Sequence, residues 1–398
     1  MPHRKHKLAD LKDLNRSVLI NHLKTEEHKT KEAATTVATP QTSVTRYAYE
    51  FFSNISNLFL WFYHYTRSRF GSRYIYPAAT PTNNSIYTLH NDESTTIALA
   101  SDWASDTVES DAIADEIKKH DPHYTIHLGD TYFVGTQKEI QNNFKPGLGS
   151  WHYGSKGSFA LPGNHEMYTR GIPYHRDLLP LMGIKNKNSN VADGQQTPFF
   201  ALQNKYWNII GLDTGYNSIG IPFFERIFHN CSFHPNLINW LKQQLHLDSD
   251  VHRIPVFLSH HQYFSAFDRS YSQPAKQLQN LIGHRKAIWF WGHEHLLAIY
   301  DEHALNDNVT VYGRLIGNGG MPVEHKKVIN EKEARKIVFH DTRIRDQKNK
   351  LGHNGYVILE VDGNSLLCKY FDEEKLIFEE NWENDNGVPK LKKQQSHL

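Results

Sequence analysis

Five apolar stretches of this chain each end in side chains able to hold a cation. TTIALASD ends at Asp102, YTIHLGD at Asp130, and SFALPGNH at Asn164 and His165. RIPVFLSHH ends at His260 and His261, and KAIWFWGHEH at His293 and His295. One Asp at such a place means little, because Asp also caps helices. Five such ends meeting at one sheet edge would gather carboxylate, amide and imidazole donors, a set suited to divalent first-row metals. Open α/β sheets bind ligands beyond the carboxyl ends of their strands, so that edge is where chemistry is expected. Gly129, just before Asp130, lets backbone approach closely there.

The elements that must position these residues can be read from the pattern of apolar and breaking residues. Strands are expected at 95–101 and 124–129, with a helix over 106–119 that has acids early and lysines late, as the helix dipole favours. A short helix at 137–144, a strand entering the loop at 158–168 and a strand at 206–215 follow. A helix starts at His234-Pro235, proline suiting its first turn. RIPVFLS, KAIWFWG and TVYGRLIGNGG are further strands. This alternation predicts an α/β domain with much parallel pairing and right-handed crossovers. After residue 335 the pattern turns to antiparallel strands, with a hairpin at Asp362-Gly363, expected to add a second sheet to the same domain.

Ahead of this domain, 1–35 is charged with loosely helical leucines, 36–45 reads as a Thr/Ser-rich linker, and 46–76 is aromatic. The expected division is a mainly helical, aromatic N-terminal extension at 1–85, the main domain at 86–385 and a polar tail at 386–398. The extension is expected to cover the site mouth, to dimerise or to bind a partner.

The chain has 398 residues and a formal net charge of +1, which gives no electrostatic case for nucleic-acid binding. Cys231 and Cys368 are far apart and suggest neither a disulfide framework nor a metal motif. No stretch reads as a secretory signal or reaches the ~18 apolar residues of a membrane span. A cytoplasmic location is the resulting expectation, with export by a route lacking a signal peptide also open.

Taken together, SDWA (101–104), GDTYF (129–133), GNHE (163–166), SHH (259–261) and GHEH (292–295) resemble the motifs of calcineurin-like metallophosphoesterases. The purple acid phosphatase branch is the nearest in pattern. The resemblance implies a four-layer α-β-β-α sandwich with mixed sheets and a site for two divalent ions, manganese, iron or zinc. It implies that Asp130 bridges both ions, that Asp102 and His295 hold one, and that Asn164, His260 and His293 hold the other. Water between the ions would attack phosphorus in line. His165 would stabilise the transition state or protonate the leaving group. Glu166 is expected to orient the loop or a neighbouring histidine, and His261 to contact substrate, support a ligand or exchange roles with His260. His127 is expected to be a satisfied core or interface histidine.

Two positions depart from the family's patterns. Relatives with Asp-x-His in the first motif have histidine where this chain has Ala104. Purple acid phosphatases lack that histidine but place a tyrosine three residues after the bridging aspartate, where this chain has Phe133. Tyr132 stands one residue early. A small phosphomonoester is the expected substrate, with a nucleotide-like or lipid-derived phosphodiester as the alternative. A catalytically weak phosphate-binding or interaction protein on the same fold is the reading from a different class. Arg170, Arg176, Arg269 and Arg314 are candidates for phosphate contact. The aromatic residues Trp151, Tyr153, Tyr168, Tyr174, Tyr263, Phe264 and Phe267 would either stack on a substrate ring or pack the rim loops.

Overall fold

The computed structural model describes residues 55–68, 70–80, 82, 84–89, 94–186, 192–219, 231–305 and 309–398. The expected helix over 1–35 and the linker at 36–45 lie outside them. In chain order the elements begin with α1 (Ile55–Arg67), β1 (Ile86–Thr88), β2 (Thr95–Ala100), α2 (Val108–Lys119), β3 (Tyr124–His127), α3 (Gln137–Phe144), β4 (Gly157–Ala160) and α4 (Asn164–Tyr168). There follow β5 (Gly183–Ile184), β6 (Phe200–Gln203), β7 (Trp207–Leu212), α5 (Pro235–Gln243), β8 (Ile254–Ser259), α6 (Ser272–Ile282), β9 (Lys286–Trp291), β10 (Leu297–Leu305) and β11 (Val309–Ile316). The chain closes with α7 (Glu331–Ala334), β12 (Ile337–His340), β13 (Gly355–Asp362), β14 (Ser365–Asp372), β15 (Leu376–Asp385) and β16 (Val388–Ser396).

These strands form two eight-stranded sheets, ordered β16-β15-β14-β13-β2-β3-β4-β5 and β1-β6-β7-β8-β9-β11-β10-β12. Parallel pairs β2–β3, β3–β4, β7–β8, β8–β9 and β9–β11 lie at their centres, and the flanks are antiparallel except for the parallel edge pair β1–β6. The sheets bury one face against each other through Ile97, Leu99, Ile126 and Phe159 on one side and Ile209, Val256 and Phe290 on the other. α2 and α3 cover the outer face of the first sheet, and α5 and α6 that of the second. The result is the expected four-layer sandwich. Capping boxes start α2 at Thr107 and α3 at Thr136, each satisfying otherwise orphaned helix N–H groups.

Three boundaries differ from the sequence reading. β13–β16 do not form a sheet of their own. β13 pairs antiparallel with β2 and so extends the sheet that carries the first motif, while β12 joins the other sheet through β10. A period-2 pattern identifies a strand but not the free edge it will find. Residues 386–398 are not a tail, since β16 pairs with β15 across a turn at Asn386 and Gly387, both at positive φ. The main body also reaches back before residue 86. Tyr76 lies in the main core, and Arg73 donates to the Tyr216 and Ile219 carbonyls at 2.8 and 3.0 Å.

His127 is buried as expected but not satisfied. Its ring sits among Trp103, Phe144 and Trp151, and neither ring nitrogen has a hydrogen-bond partner. Burial pushes its pKa down from 6.5 to about 3. Between those values the unfolded chain takes up a proton that the folded chain refuses, so stability falls as pH falls. His127→Phe is therefore expected to flatten acid destabilisation between pH 6.5 and 3 without loss of stability at pH 7. Urea unfolding at pH 7 and 5 measures this, and an unchanged pH dependence would refute it.

Candidate metal centre

The motif residues follow the carboxyl ends of β2, β3, β4, β8 and β9, where the central strands of both sheets finish. Asp102, Asp130 and His293 hold φ angles of 56°, 70° and 67°. Left-handed backbone at three non-glycine residues is uncommon and tends to persist at functional sites. It turns the chain sharply at the end of each strand.

Ligand-capable atoms of Asp102, Asp130 and His260 lie within 4.8 Å of one another, as do those of His260, His261 and His293. His260 belongs to both groups and joins them. His295 Nε2 is 3.4 Å from Asp102 Oδ1, and His165 Nε2 is 3.8 Å from Asp130 Oδ2. Asn164 opens α4 beside them, its Oδ1 buried without a hydrogen-bond partner. The expected Asp, Asn and His residues are thus gathered at one place. His261 is drawn into the cluster itself, its ring against His293 at a centroid distance of 4.6 Å and its Nδ1 3.1 Å from Thr214 Oγ1.

The donor set fits metal ions. Asp102 and Asp130 are 0% and 2% exposed, and among the described residues no lysine or arginine pairs with either. Burial penalises both charges, yet nearby imidazoles hold both carboxyls below their usual range. Burial likewise opposes charge on His260, but the carboxylates of Asp130 and Asp102 outweigh it and lift its pKa to about 9. A proton on His260, or a cation in its place, thus supplies positive charge that these carboxylates require. His260 Nδ1 faces the Leu128 carbonyl at 3.1 Å, which can only accept, so Nε2 is left towards the carboxylates. That Nε2 lies 3.1 Å from Asp130 Oδ2 without hydrogen-bond geometry. With Asp102 within the same 4.8 Å, ring and carboxylates are close enough to share one ion.

Neighbouring groups hold the donors in place. Asp102 Oδ2 accepts from Ser101 Oγ and from the His293 amide, both at 2.8 Å. Glu166 is fully buried and accepts from the amides of Gly163, Thr131 and Asp130 at 2.7, 2.6 and 3.2 Å, tying two motif loops together. Burial, reinforced by Asp130, raises its pKa to about 7. His165 Nδ1 donates to the Phe133 carbonyl, which leaves Nε2 towards Asp130. Phe133 thus contributes its backbone. Tyr132 points into the cluster, its hydroxyl 2.7 Å from Asp102 Oδ1, 3.2 Å from Asp130 Oδ2 and 3.1 Å from His295 Nε2.

The family model for calcineurin-like phosphoesterases matches residues 95–297, slightly over half of the chain. The chain belongs to this family. Solved structures similar to this phosphoesterase include purple acid phosphatase PPD1 from yellow lupin (Lupinus luteus) seeds, at 14% identity and a TM-score of 0.46 over 71% of this chain and 52% of that one. The chain therefore spans about half the length of the lupin protein. PhoD is similar at 11% identity and a TM-score of 0.48, over 77% of this chain and 73% of that one. GAP50, the anchor in the inner membrane complex of Plasmodium, is similar at 14% identity and a TM-score of 0.46, over 75% and 88% of the two chains. A search of curated proteins finds no match.

Arg314 is not part of the phosphoesterase site. It is 1% exposed and forms a bidentate pair with Glu380 at 2.7 Å, its remaining donors going to the Tyr300 and Gly313 carbonyls. An arginine in a strand that ends near a site looks the same in sequence whichever face it takes. Most of the rim aromatics pack, since Trp151, Tyr174, Tyr263, Phe264 and Phe267 are all buried. Tyr271, which sequence reasoning passed over, lies edge-on to His261 at 5.6 Å.

A Cβ added to Gly163 would lie 2.1 Å from Asp130 Oδ1 and 2.8 Å from His260 Cδ2. Gly163→Ala is accordingly expected to displace the Asp130 carboxylate and lower the manganese retained per chain after gel filtration, read by elemental analysis. Retention at the wild-type level would show that the loop yields without moving Asp130.

Proposed function

We propose that the chain hydrolyses phosphomonoesters at two divalent cations. Asp102, Asp130, His295 and the Tyr132 hydroxyl hold one, and Asp130, Asn164, His260 and His293 hold the other. The observation that carries this reading is the pair of buried carboxylates, unpaired by lysine or arginine among the described residues, whose oxygens lie among imidazole nitrogens close enough to share an ion. When bound, the ions supply Lewis acidity at the phosphoryl oxygens and lower the pKa of water at the site. Tyr132 provides the oxygen donor that Ala104 and Phe133 cannot, from a position one residue earlier than purple acid phosphatases use. A tyrosine donor without Asp-x-His supports placing the chain nearest that branch.

The chain's own residues perform the remaining steps. His165, fixed through Nδ1 by the Phe133 carbonyl, presents Nε2 to the transferring phosphoryl group and to the leaving oxygen. Lys326 and Arg269 act on His293 with positive charge, part of which is offset by Asp268, 4.0 Å from Lys326 Nζ. Arg269 stacks on Tyr271 at 5.0 Å. That charge favours a dianionic monoester over a monoanionic diester, and monoester hydrolysis follows as the preferred reaction.

With manganese, the chain is expected to cleave an aryl phosphate faster than the corresponding bis-aryl ester. Chelator and Asp130→Asn should each abolish turnover. Turnover that survives both would overturn the metal mechanism. His165→Ala should lower kcat by roughly 100- to 10,000-fold while leaving manganese content unchanged, and an unaltered kcat would remove His165 from the mechanism. Tyr132→Phe should weaken manganese binding by at least about tenfold in a titration of the metal-free chain. Equal affinity would assign the hydroxyl a purely structural role.

A further inference from the structure

We infer that Tyr168 orients the Asn164 amide towards the second cation, and that α1 of the N-terminal segment clamps Tyr168 in that position. The inference rests on the dinuclear reading above. An Asn side chain has two ends of nearly equal size, and only its oxygen can ligate a cation. Here Nδ2 donates to the Tyr168 hydroxyl at 3.1 Å, while Oδ1 is buried and has no hydrogen-bond partner. The tyrosine thus occupies the nitrogen end and leaves the oxygen for an ion. The two residues stand four apart on α4, the spacing at which side chains on one helix face meet.

Tyr168 is in turn held by three rings. Trp61 meets it edge-on at 5.9 Å, Tyr65 lies 5.9 Å away, and His165 meets it edge-on at 5.0 Å. Trp61 and Tyr65 stack on each other at 4.7 Å, so the inner face of α1 acts as one block. Tyr132, Phe133, Val134 and Met167 belong to the same buried cluster, which places α1 against the loop that follows Asp130. The segment after α1 is anchored as well, since Tyr74 donates its amide to the Arg170 carbonyl at 3.0 Å, two residues beyond Tyr168. Filling space at residue 168 needs only a ring. The hydroxyl, set against a ligand's amide, is what packing alone does not require.

The test titrates Mn²⁺ into the metal-free full-length chain by calorimetry, with circular dichroism checking the fold of each variant. Tyr168→Phe keeps the ring and should weaken the second ion by about tenfold, leaving the first unchanged. Adding Asn164→Asp to Tyr168→Phe should restore second-ion affinity, because the two oxygens of a carboxylate need no orienting partner. A purely structural defect would not be rescued in this way. Trp61→Leu should weaken the second ion alone, by less than Tyr168→Phe. Two ions in the wild type with unchanged second-ion affinity in Tyr168→Phe overturn the inference and leave the dinuclear reading standing. Unchanged affinity in Trp61→Leu removes α1 from it. Fewer than two ions in the wild type overturns the dinuclear reading, and this inference with it.

Discussion

Asp102 and Asp130 carry two negative charges into a place almost closed to water, at 0% and 2% exposure. Such charges are costly unless opposite charge meets them. Neither has an arginine or lysine partner among the described residues, and the groups beside their oxygens include the imidazoles of His260, His165 and His295 and the Tyr132 hydroxyl. Much of the surrounding architecture serves this arrangement. Parallel strands of both sheets end around it, left-handed turns follow them, Glu166 ties two loops together, and Gly163 and Gly292 leave room where a Cβ would strike Asp130 or Asp102.

Much of this was legible in the sequence. Buried parallel strands read as continuous apolar runs, and a polar ligand at the end of each stands out against them. That contrast marks Asp102, Asp130, Asn164, His260, His293 and His295 before any fold is known. Edge choice was not legible, since β13 would look the same whether it paired with β2 or founded a new sheet. The Asn386-Gly387 turn was a hairpin signal in plain view, masked by the polarity of the strand after it.

Side-chain direction is the other thing that spacing does not disclose. Tyr132 enters the cluster although Phe133 holds the position that the family pattern suggests. Arg314 turns inward to Glu380. His127, whose type suggests a hydrogen bond, sits unpartnered in an aromatic box. Tyr168 reads as rim aromatic in sequence, and only its contact with Asn164 ties it to the centre. For Tyr132 and Arg314 a neighbour far along the chain decides the role, and for Tyr168 one four residues away does.

Anomalous diffraction from crystals of the manganese-loaded chain tests the central claim most directly. Two peaks about 3.5–4 Å apart are expected, with Asp130 between them, Asp102 and His295 beside one and Asn164, His260 and His293 beside the other. Loaded crystals with no peak at Asp130, or with Asp102 and Asn164 turned to separate places, would contradict the account.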